Sequence, residues 1–527
     1  MKSRLAQTTA ALLVMAGLVP CAEAADKSAM SVPRDTGIRS RPAVPEDLRP
    51  LAAPKALTPI ITSTLVVDAV VNNTDPLLKN DDTVGFRGEV SIGAIVPEEE
   101  EGSSRVVLTD FEDQWGTTAP LWLSKNGGLT WTKRFTINPP PGDPGAIGGP
   151  FDQTVDFNPH TGALAGTFLT DNVFSAQSNN LTVSPGAFNY FQSPPGTAVP
   201  TTHLVPGVSP DQPWLLVGRK PGTLSQNVYV AYDDFSGAPD MHVAVAAGTS
   251  PLNFTTDTIS GLSGGGFTAP VNPGHRLAID PRSGAVYSLF QLPVAAGAGT
   301  SQNINYMLNR SSDGGKTWAL NGSATGIVVA NADSDQSTPK FCTVNALLGG
   351  VDHAAVDPKT GDVVYVYGNR DATTGNNRLA MRRLKPNGTG GLTIGPEIFI
   401  NGQAQTLAGV PFQAAVPSVA ITRNRSIGVF YYTCDGTSPS GFPIITAHFS
   451  VSPDLGNTFF DNTLESFLSP AKDNGDPRQR VLGDYQQVKA VGNTFYGGFA
   501  GNRVGFYPAS PVSITDPIFF KVQTARH

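Results

Sequence analysis

A strand–turn–strand segment recurs along the chain, and its spacing constrains the fold more than any other feature. Two copies read HRLAIDPRSGAVYSLF from His275 and DHAAVDPKTGDVVYVY from Asp352, and a third reads FDQTVDFNPHTGALAGTF from Phe151. Four looser copies bring the set to seven, with starts near residues 89, 152, 211, 275, 352, 416 and 484. A repeat of about 60 residues with about four strands is typical of a β-propeller blade.

A second motif keeps a nearly fixed distance from the first. The segments SKNGGLTW from Ser124, SSDGGKTW from Ser311 and SPDLGNTF from Ser452 begin 35 or 36 residues after their repeats. In each, the Asp or Asn suits acceptance of backbone N–H groups in a turn, the Gly suits a positive φ, and the aromatic residue suits the core. A structural turn therefore explains these segments better than a binding loop does.

Together the motifs predict an all-β chain folded as a single β-propeller of four-stranded blades. Seven blades fit the count, and six blades with a long insertion are the alternative. The strand-like run PIITSTLVVDAVV, residues 59–71, is expected to supply the outer strand of the last blade. We assign residues 1–25 to a signal peptide, 26–57 to a Pro-rich disordered tether and 58–527 to the propeller.

The N-terminus has the regions of a secretory signal peptide. Lys2 and Arg4 precede a short apolar stretch over residues 10–19, and the AEA of residues 22–24 fits a cleavage signal. We therefore expect a secreted or periplasmic protein with no membrane span. Removing residues 1–25 takes two of the 36 basic and one of the 43 acidic residues, which leaves an acidic chain. Such a charge argues against a nucleic-acid partner.

Cys342 and Cys434 are the two cysteines of the mature chain. The repeat phase places both at the same mouth of the propeller, one blade apart. A disulfide between them is therefore geometrically reasonable in an exported protein. Two unpaired, half-buried thiols are the alternative.

The second motif is that of the Asp-box, or BNR, repeats, and the chain resembles the secreted sialidase-like β-propellers over roughly residues 59–502. The resemblance implies a monomer whose site, at the mouth of the central channel, takes an extracellular carbohydrate or glycoconjugate. It also implies arginines that clamp a substrate carboxylate, an Asp acid/base and a Tyr nucleophile activated by a Glu. Fold alone does not establish such an activity.

The repeat phase brings the residues before each first strand and after each second strand to one mouth, which is the expected place for a site. The candidate catalytic residues are Tyr485, Asp110, Asp113 and Asp233. The candidate substrate-binding residues are Arg87, Arg276, Arg370, Arg503, His275, His353, Asp152, Asp211 and Asp352. Each residue alone is better explained as a polar cap at a strand end, whereas the cluster as a whole favours a function.

The chain departs from the sialidase pattern in one respect. It contains no Glu between Glu112 and Glu397, the interval expected to hold the residue that activates Tyr485. Asp233 and Asp234 are the candidates to replace it, with a shorter side chain. The first hypothesis is therefore a carbohydrate-active hydrolase with a divergent catalytic set, and the second is a non-catalytic propeller that binds glycans or a protein.

The same mouth offers oxygen and nitrogen ligands for a metal, which gives a third hypothesis, a metal-dependent enzyme. Carboxylates with backbone carbonyls suit Ca²⁺, and histidines with carboxylates suit a transition metal. The residues concerned are Asp211, Asp233, Asp234, Asp352, His275 and His353. Neither set has a diagnostic spacing, so Ca²⁺ is a candidate and no metal ligand is assigned.

Overall fold

The computed structural model describes residues 62–64, 90–96, 104–109, 120–136, 151–169, 173–178, 202–203, 210–234, 240–248, 254–258, 272–297, 301–334, 340–347, 352–370, 377–400, 413–501 and 516–524. All of them belong to the second of the chain's two units, Gly37–His527. Their regular structure is entirely β, which confirms the predicted class. No helix in this part of the chain is long and apolar enough to cross a membrane.

The described strands form seven four-stranded antiparallel sheets, numbered here in chain order, and the first described strand, β1 (Thr62–Thr64), belongs to sheet 7. Sheet 1 contains β2 (Ser91–Ile95), β3 (Arg105–Thr109), β4 (Pro120–Ser124) and β5 (Thr132–Thr136). Sheet 2 contains β6 (Phe151–Phe157), β7 (Leu164–Leu169), β8 (Val173–Ser178) and β9 (Thr202–His203). Sheet 3 contains β10 (Pro210–Arg219), β11 (Gln226–Asp234), β12 (Asp240–Ala247) and β13 (Phe254–Thr258).

The remaining sheets repeat this meander. Sheet 4 contains β14 (Asn272–Ile279), β15 (Val286–Ala296), β16 (Gln302–Ser311) and β17 (Ile327–Ser334). Sheet 5 contains β18 (Asp352–Val356), β19 (Val363–Arg370), β20 (Asn377–Pro386) and β21 (Leu392–Phe399). Sheet 6 contains β22 (Gln413–Ile421), β23 (Ile427–Thr437), β24 (Pro443–Ser452) and β25 (Phe460–Leu468). Sheet 7 contains β26 (Gln487–Val491), β27 (Thr494–Gly501), β28 (Asp516–Gln523) and β1.

The first strands of the sheets contact one another in sequence. They meet in the order β2, β6, β10, β14, β18, β22 and β26, and β26 also contacts β2. Between sheets 1 and 7, the Ser91 hydroxyl donates to Gln487 Oε1 at 3.0 Å. β1 lies in the predicted run 59–71 and pairs antiparallel with β28, with Thr62 opposite Gln523. The N-terminal strand thus becomes the outermost strand of the C-terminal sheet, as predicted.

In sheets 2 to 7, tight turns join the first strand to the second at what we call the lower end of the sheets. The upper end is where the chain enters the first strand. At Asp280 the backbone N–H donates to Ala285 O at 2.9 Å, and the N–H of Gly284, with φ +76°, donates to Asp280 O at 2.8 Å. The same pair of bonds forms at Asn158 and at Asp357. The repeated (N/D)-P-x-(S/T)-G segment therefore encodes one turn.

The second motif forms a different turn, between third and fourth strands. Asp313 Oδ1 accepts the N–H of Thr317 at 3.0 Å, and the Ser311 hydroxyl accepts the N–H of Gly315 at 2.8 Å. Equivalent bonds form in the copies that begin at Ser124 and Ser452. The side chains of Ser311, Asp313 and Thr317 thus shape the turn, and the ring of Trp318 is buried in the core.

Both faces of these sheets are buried, so their strands read as nearly continuous apolar runs. In β23, Phe430 and Tyr432 belong to the same apolar cluster as Phe499 of sheet 7, and Val429 and Tyr431 belong to a cluster with sheet 5. The rings of Phe430 and Phe499 stack with centroids 5.6 Å apart. Alternate side chains of one strand thus tie together the two neighbouring sheets.

The first strands of sheets 2, 3, 4 and 6 carry a β-bulge near their upper ends. Each bulge includes a residue of positive φ: Asp152 (48°), Gln212 (50°), Gly274 (107°) and Val416 (55°). Glycine takes this conformation without strain, whereas the β-branched Val416 does so against a steric penalty. Since bulges bend a strand and redirect its side chains, they set which residues point together at the upper end.

Candidate functional site

Three aromatic and cationic side chains stack at the upper end of the first strands. The Arg276 guanidinium lies 4.5 Å from the centroid of the Trp214 ring and 4.9 Å from that of Tyr485. The two rings themselves stack with centroids 5.8 Å apart. A cation held over aromatic faces in a desolvated position is attracted by their quadrupoles. These side chains, from sheets 3 and 4 and the approach to sheet 7, therefore fix one another.

The Arg276 side chain is fully engaged in contacts within the protein. It is only 1% exposed, its Nη1 donates to His275 O at 3.3 Å and its Nη2 donates to Asp484 O at 3.2 Å. A substrate-clamping arginine needs two free N–H groups that face a carboxylate. Arg276 has no exposed surface with which to make that bidentate contact.

Four carboxylates surround this stack, and we call them the acidic cluster: Asp152, Asp211, Asp233 and Asp484. Asp211 and Asp233 are cross-strand partners in sheet 3, and both Asp152 and Asp484 lie close enough to act electrostatically on Asp211. The Tyr485 hydroxyl donates to Asp152 Oδ2 at 3.4 Å. The bulges at Asp152 and Gln212 bring the acids of sheets 2 and 3 together at this point.

The crowding changes the acidity of one member. Burial raises the pKa of Asp211 well above its ordinary value, and the neighbouring charges of Asp152, Asp233 and Asp484 raise it further. The N–H of Gln212, which donates to Asp211 Oδ1 at 2.8 Å, opposes the shift without cancelling it. A carboxyl group in such surroundings keeps its proton more readily than an exposed aspartic acid does, and it suits the role of proton donor.

Two side chains donate hydrogen bonds to the carboxylate of Asp484. The Arg480 Nη2 donates to its Oδ1 at 2.6 Å, and the Gln212 Nε2 donates to its Oδ2 at 2.9 Å. Gln212 Oε1 and Trp214 Nε1 are buried and have no hydrogen-bond partner among the described residues. Gln212 Oε1 is an acceptor and Trp214 Nε1 is a donor, and both residues lie beside the acidic cluster.

The loop that carries Asp484 and Tyr485 is held from the side by segment 340–347. Asn345 Oδ1 accepts the backbone N–H groups of Val481 at 2.9 Å and Leu482 at 2.7 Å. That segment is in turn tied to sheet 6, because Cys342 and Cys434 form a disulfide. The bond left open by the sequence is therefore present, and it braces the loop of the candidate site.

The two predicted histidines are buried and neutral. Burial, together with nearby Arg276, lowers the pKa of both His275 and His353 to about 3. His275 Nε2 is 2.7 Å from the Ser288 hydroxyl, and His353 Nδ1 accepts the N–H of Val419 at 3.1 Å. His353 also packs edge-on against Trp214, with centroids 5.3 Å apart. Both side chains therefore serve the packing beneath the acidic cluster.

Two further candidates lie in sheet 5. Asp352 is 2% exposed and accepts hydrogen bonds from the Tyr365 hydroxyl at 2.6 Å and from Gln291 Nε2. Burial raises its pKa to about 6 despite these bonds and the charge of Arg276. Arg370 is the last residue of β19, half-buried and opposite Asn377 of β20. Asp352 thus sits in a closed polar pocket between sheets 4 and 5.

Four of the thirteen predicted site residues lie outside the described part of the chain: Arg87, Asp110, Asp113 and Arg503. Within the described part, no group of three or more His, Cys, Asp or Glu side chains is arranged to hold a metal ion. Of the residues proposed from the sequence as ligands, Asp211 and Asp233 lie together, whereas Asp352 lies in a separate pocket. The described geometry therefore offers no metal centre.

No family model matches the chain, and no curated protein matches it. Among solved structures, it is similar to an ulvan lyase bound to -[GlcA(1-4)Rha3S]-, with a TM-score of 0.40, 11% identity and coverage of 84% of this chain and 97% of the other. It is also similar to an α-L-arabinanase from Penicillium chrysogenum complexed with arabinobiose, with a TM-score of 0.37, 12% identity and coverage of 83% of this chain and 93% of the other. A third similar structure is a protein of unknown function from Dyadobacter fermentans, with a TM-score of 0.36, 12% identity and coverage of 84% of this chain and 97% of the other. Likenesses this weak assign neither family nor activity.

Sequence reasoning missed Trp214. It placed Gln212 and Asp484 at the mouth by the repeat phase but did not select them as site residues. Trp214 stands in DQPWLLVGR, where its surroundings indicate only a buried strand residue. The signal that identifies it is the bulge between Asp211 and Trp214, which is a property of the strand pairing. Asp484 was placed at the same mouth by the repeat phase, yet no local pattern indicated that it would anchor Arg276, Arg480 and Gln212.

Proposed function

We propose that the protein is an exported, seven-bladed β-propeller with glycoside hydrolase activity at the upper end of its first strands. The disulfide supports an oxidising compartment. The ring of contacts among the first strands, with β26 against β2, supports seven blades. The substrate class, an extracellular carbohydrate, follows from the Asp-box resemblance and from the acceptor and donor atoms beside the acids. The sialidase specificity that the resemblance implied is not part of the proposal, because Arg276 is otherwise engaged.

One observation carries the proposed chemistry: the Tyr485 hydroxyl donates to Asp152 next to Asp211, whose raised pKa favours its protonated form. Asp152 would accept the proton of Tyr485 as its oxygen attacks the anomeric carbon. Asp211 would give its proton to the leaving glycosidic oxygen. Water would then attack the anomeric carbon and break its bond to Tyr485, with Asp211 accepting a proton from that water and Asp152 returning its proton to the Tyr485 oxygen. Asp152 thus takes the place expected for the missing Glu.

A panel of fluorogenic glycosides, sialosides included, and polysaccharides tests this proposal on the purified mature protein, with and without EDTA. Tyr485→Phe and Asp211→Asn should each lower turnover by about 10²-fold or more, the range for a lost nucleophile or general acid. Tyr432→Phe is the matched control, since its buried hydroxyl donates to Ala500 O at 2.8 Å, away from the cluster. Equal losses in Tyr485→Phe and Tyr432→Phe would refute the catalytic role. Turnover that EDTA abolishes would assign the chemistry to a metal.

The burial of Tyr485 favours a second function, a non-catalytic propeller that binds glycans through its upper loops. Its side chain has no exposed surface, and Arg276 has almost none. In that case the stack is a plug that closes the upper end of the first strands. The panel would then detect no turnover on any substrate, while a glycan array would detect binding that survives Tyr485→Phe.

A further inference from the structure

Below the stack lies a cavity that the proposed chemistry does not use. It has a volume of about 820 Å³ and is lined by the first strands of sheets 2 to 7. Its upper end is closed by Trp214 and His353, and its lower end is bordered by residues of the first turns. The wall from Trp214 to Arg219 spans about 16 Å of extended strand. The size falls in the range of small-molecule binding sites.

The walls of this cavity are mostly apolar. Every first strand of sheets 3 to 7 contributes aliphatic side chains, among them Leu216, Ile279, Ala355, Ile421 and Ala490. The charges within it are Asp156 and Lys489, which form an ion pair at 3.3 Å, and Asp156 Oδ2 also accepts the N–H of Val217 at 2.9 Å. That pair is balanced, so the interior suits an uncharged, apolar body.

The lower rim carries positive charge. Arg219, Lys359 and Arg423 line the cavity where it meets the first turns, and the last two are exposed. Among the described residues, no carboxylate forms an ion pair with Lys359 or Arg423. The acidic run Glu98–Glu101, in the link between β2 and β3, lies outside the described residues. The described rim therefore attracts anions to the opening of an apolar channel.

We propose that this lower channel binds an amphipathic carboxylate, with its alkyl chain against the apolar walls and its head at Lys359 and Arg423. At the closed end the chain terminus would reach Trp214. Apolar burial supplies the affinity, and the cationic rim selects the charge and the orientation. The site is independent of the proposed hydrolase chemistry, because the stack separates the two.

Quenching of tryptophan fluorescence tests the proposal directly. An ω-bromoalkanoate would carry its bromine to Trp214, so titration of the full-length mature protein should give saturable quenching. Trp214→Phe should lose that quenching while calorimetry with decanoate still detects binding. Absence of saturable decanoate binding to the unmodified protein would overturn the proposal.

Charge reversal at the rim supplies the second arm. The double variant Lys359→Glu, Arg423→Glu should weaken decanoate binding about tenfold or more. The control double variant Lys316→Glu, Lys385→Glu makes the same change in net charge at exposed positions outside the cavity lining and should bind as the unmodified protein does. Equal affinity in the two double variants, or tighter binding of decyltrimethylammonium than of decanoate, would refute an anion-selective site.

Discussion

Asp352 should make the protein less stable as the pH rises, and Asp352→Asn should remove that effect. The carboxyl group is buried between sheets 4 and 5, where Tyr365 and Gln291 donate to its two oxygens. Burial nevertheless raises its pKa from 3.8 to about 6. An Asn at this position keeps an acceptor for Tyr365, and Gln291 can rotate its amide to accept from the new N–H₂. The substitution therefore removes a charge and keeps the shape.

The magnitude follows from the pKa difference. Because the folded-state pKa is the higher one, this group's contribution to stability is fully present below pH 3.8 and is lost as the pH rises through about 6. A difference of about two pKa units corresponds to about 3 kcal/mol once Asp352 is ionised in both states. The free energy of unfolding of Asp352→Asn, minus that of the unmodified protein, should therefore rise by about 3 kcal/mol between pH 3.5 and pH 8.

Urea unfolding, followed by fluorescence across that pH range, measures this difference. Asp357→Asn is the control of opposite sign. Although partial burial opposes it, the side-chain hydrogen bond from Arg425 and the backbone bond from Lys359 hold the pKa of Asp357 below its ordinary value. Its stabilisation is therefore present at neutral pH and lost in acid, so Asp357→Asn should be most destabilising near pH 7. A pH-independent difference for Asp352→Asn would refute the assigned electrostatic cost.

Three further outcomes are expected in urea or thermal unfolding. Gly315→Ala, at φ +93° and with a valine side chain 2.6 Å from the new Cβ, should destabilise the fold by about 2–4 kcal/mol, against about 1 for Gly322→Ala in open space. Cys342→Ser opens a link that spans 92 residues and should remove up to about 4 kcal/mol, after which a reductant should no longer change the Tm. Burial lowers the pKa of His448, but Asp461, 2.7 Å away, raises it by more, so the net shift is upward. The protonated histidine therefore stabilises the fold in acid, and His448→Asn should be more destabilising at pH 5.5 than at pH 9.

The sheets could be predicted because their turns are encoded locally. Asp280 and Asp357 begin turns whose residues lie within six positions of one another, and Asp313 and Asp454 do the same in the second motif. Because these two turn motifs keep a nearly fixed distance from each other, together they define the length of the repeat. The repeat length then indicates which residues share an end of the sheets, and on this basis Asp152, Asp211, Asp233 and Tyr485 were placed together.

The partners inside the candidate site could not be predicted in this way. Tyr485 meets Asp152 across 333 residues, and the sequence favoured Asp233 or Asp234 as the replacement for the missing Glu. The β-bulges determine which carboxylate meets Tyr485, because they place Asp152 and Gln212 in left-handed conformations. Neither residue type by itself predicts that conformation. Whether an arginine faces a substrate or a stack of rings likewise depends on those bulges, as Arg276 demonstrates.

The pairing of β1 with β28 makes the two ends of the chain depend on each other. Thr62 and Gln523 are opposite one another although almost the whole folded sequence separates them. During synthesis, β1 must therefore wait, unpaired with β28, until β28 has followed it. Among the described strand pairings, this one closes the longest loop, so it comes at the highest entropic cost and is expected late. A chain shortened at its C-terminus would leave both β1 and the edge of β27 open to pairing with other molecules.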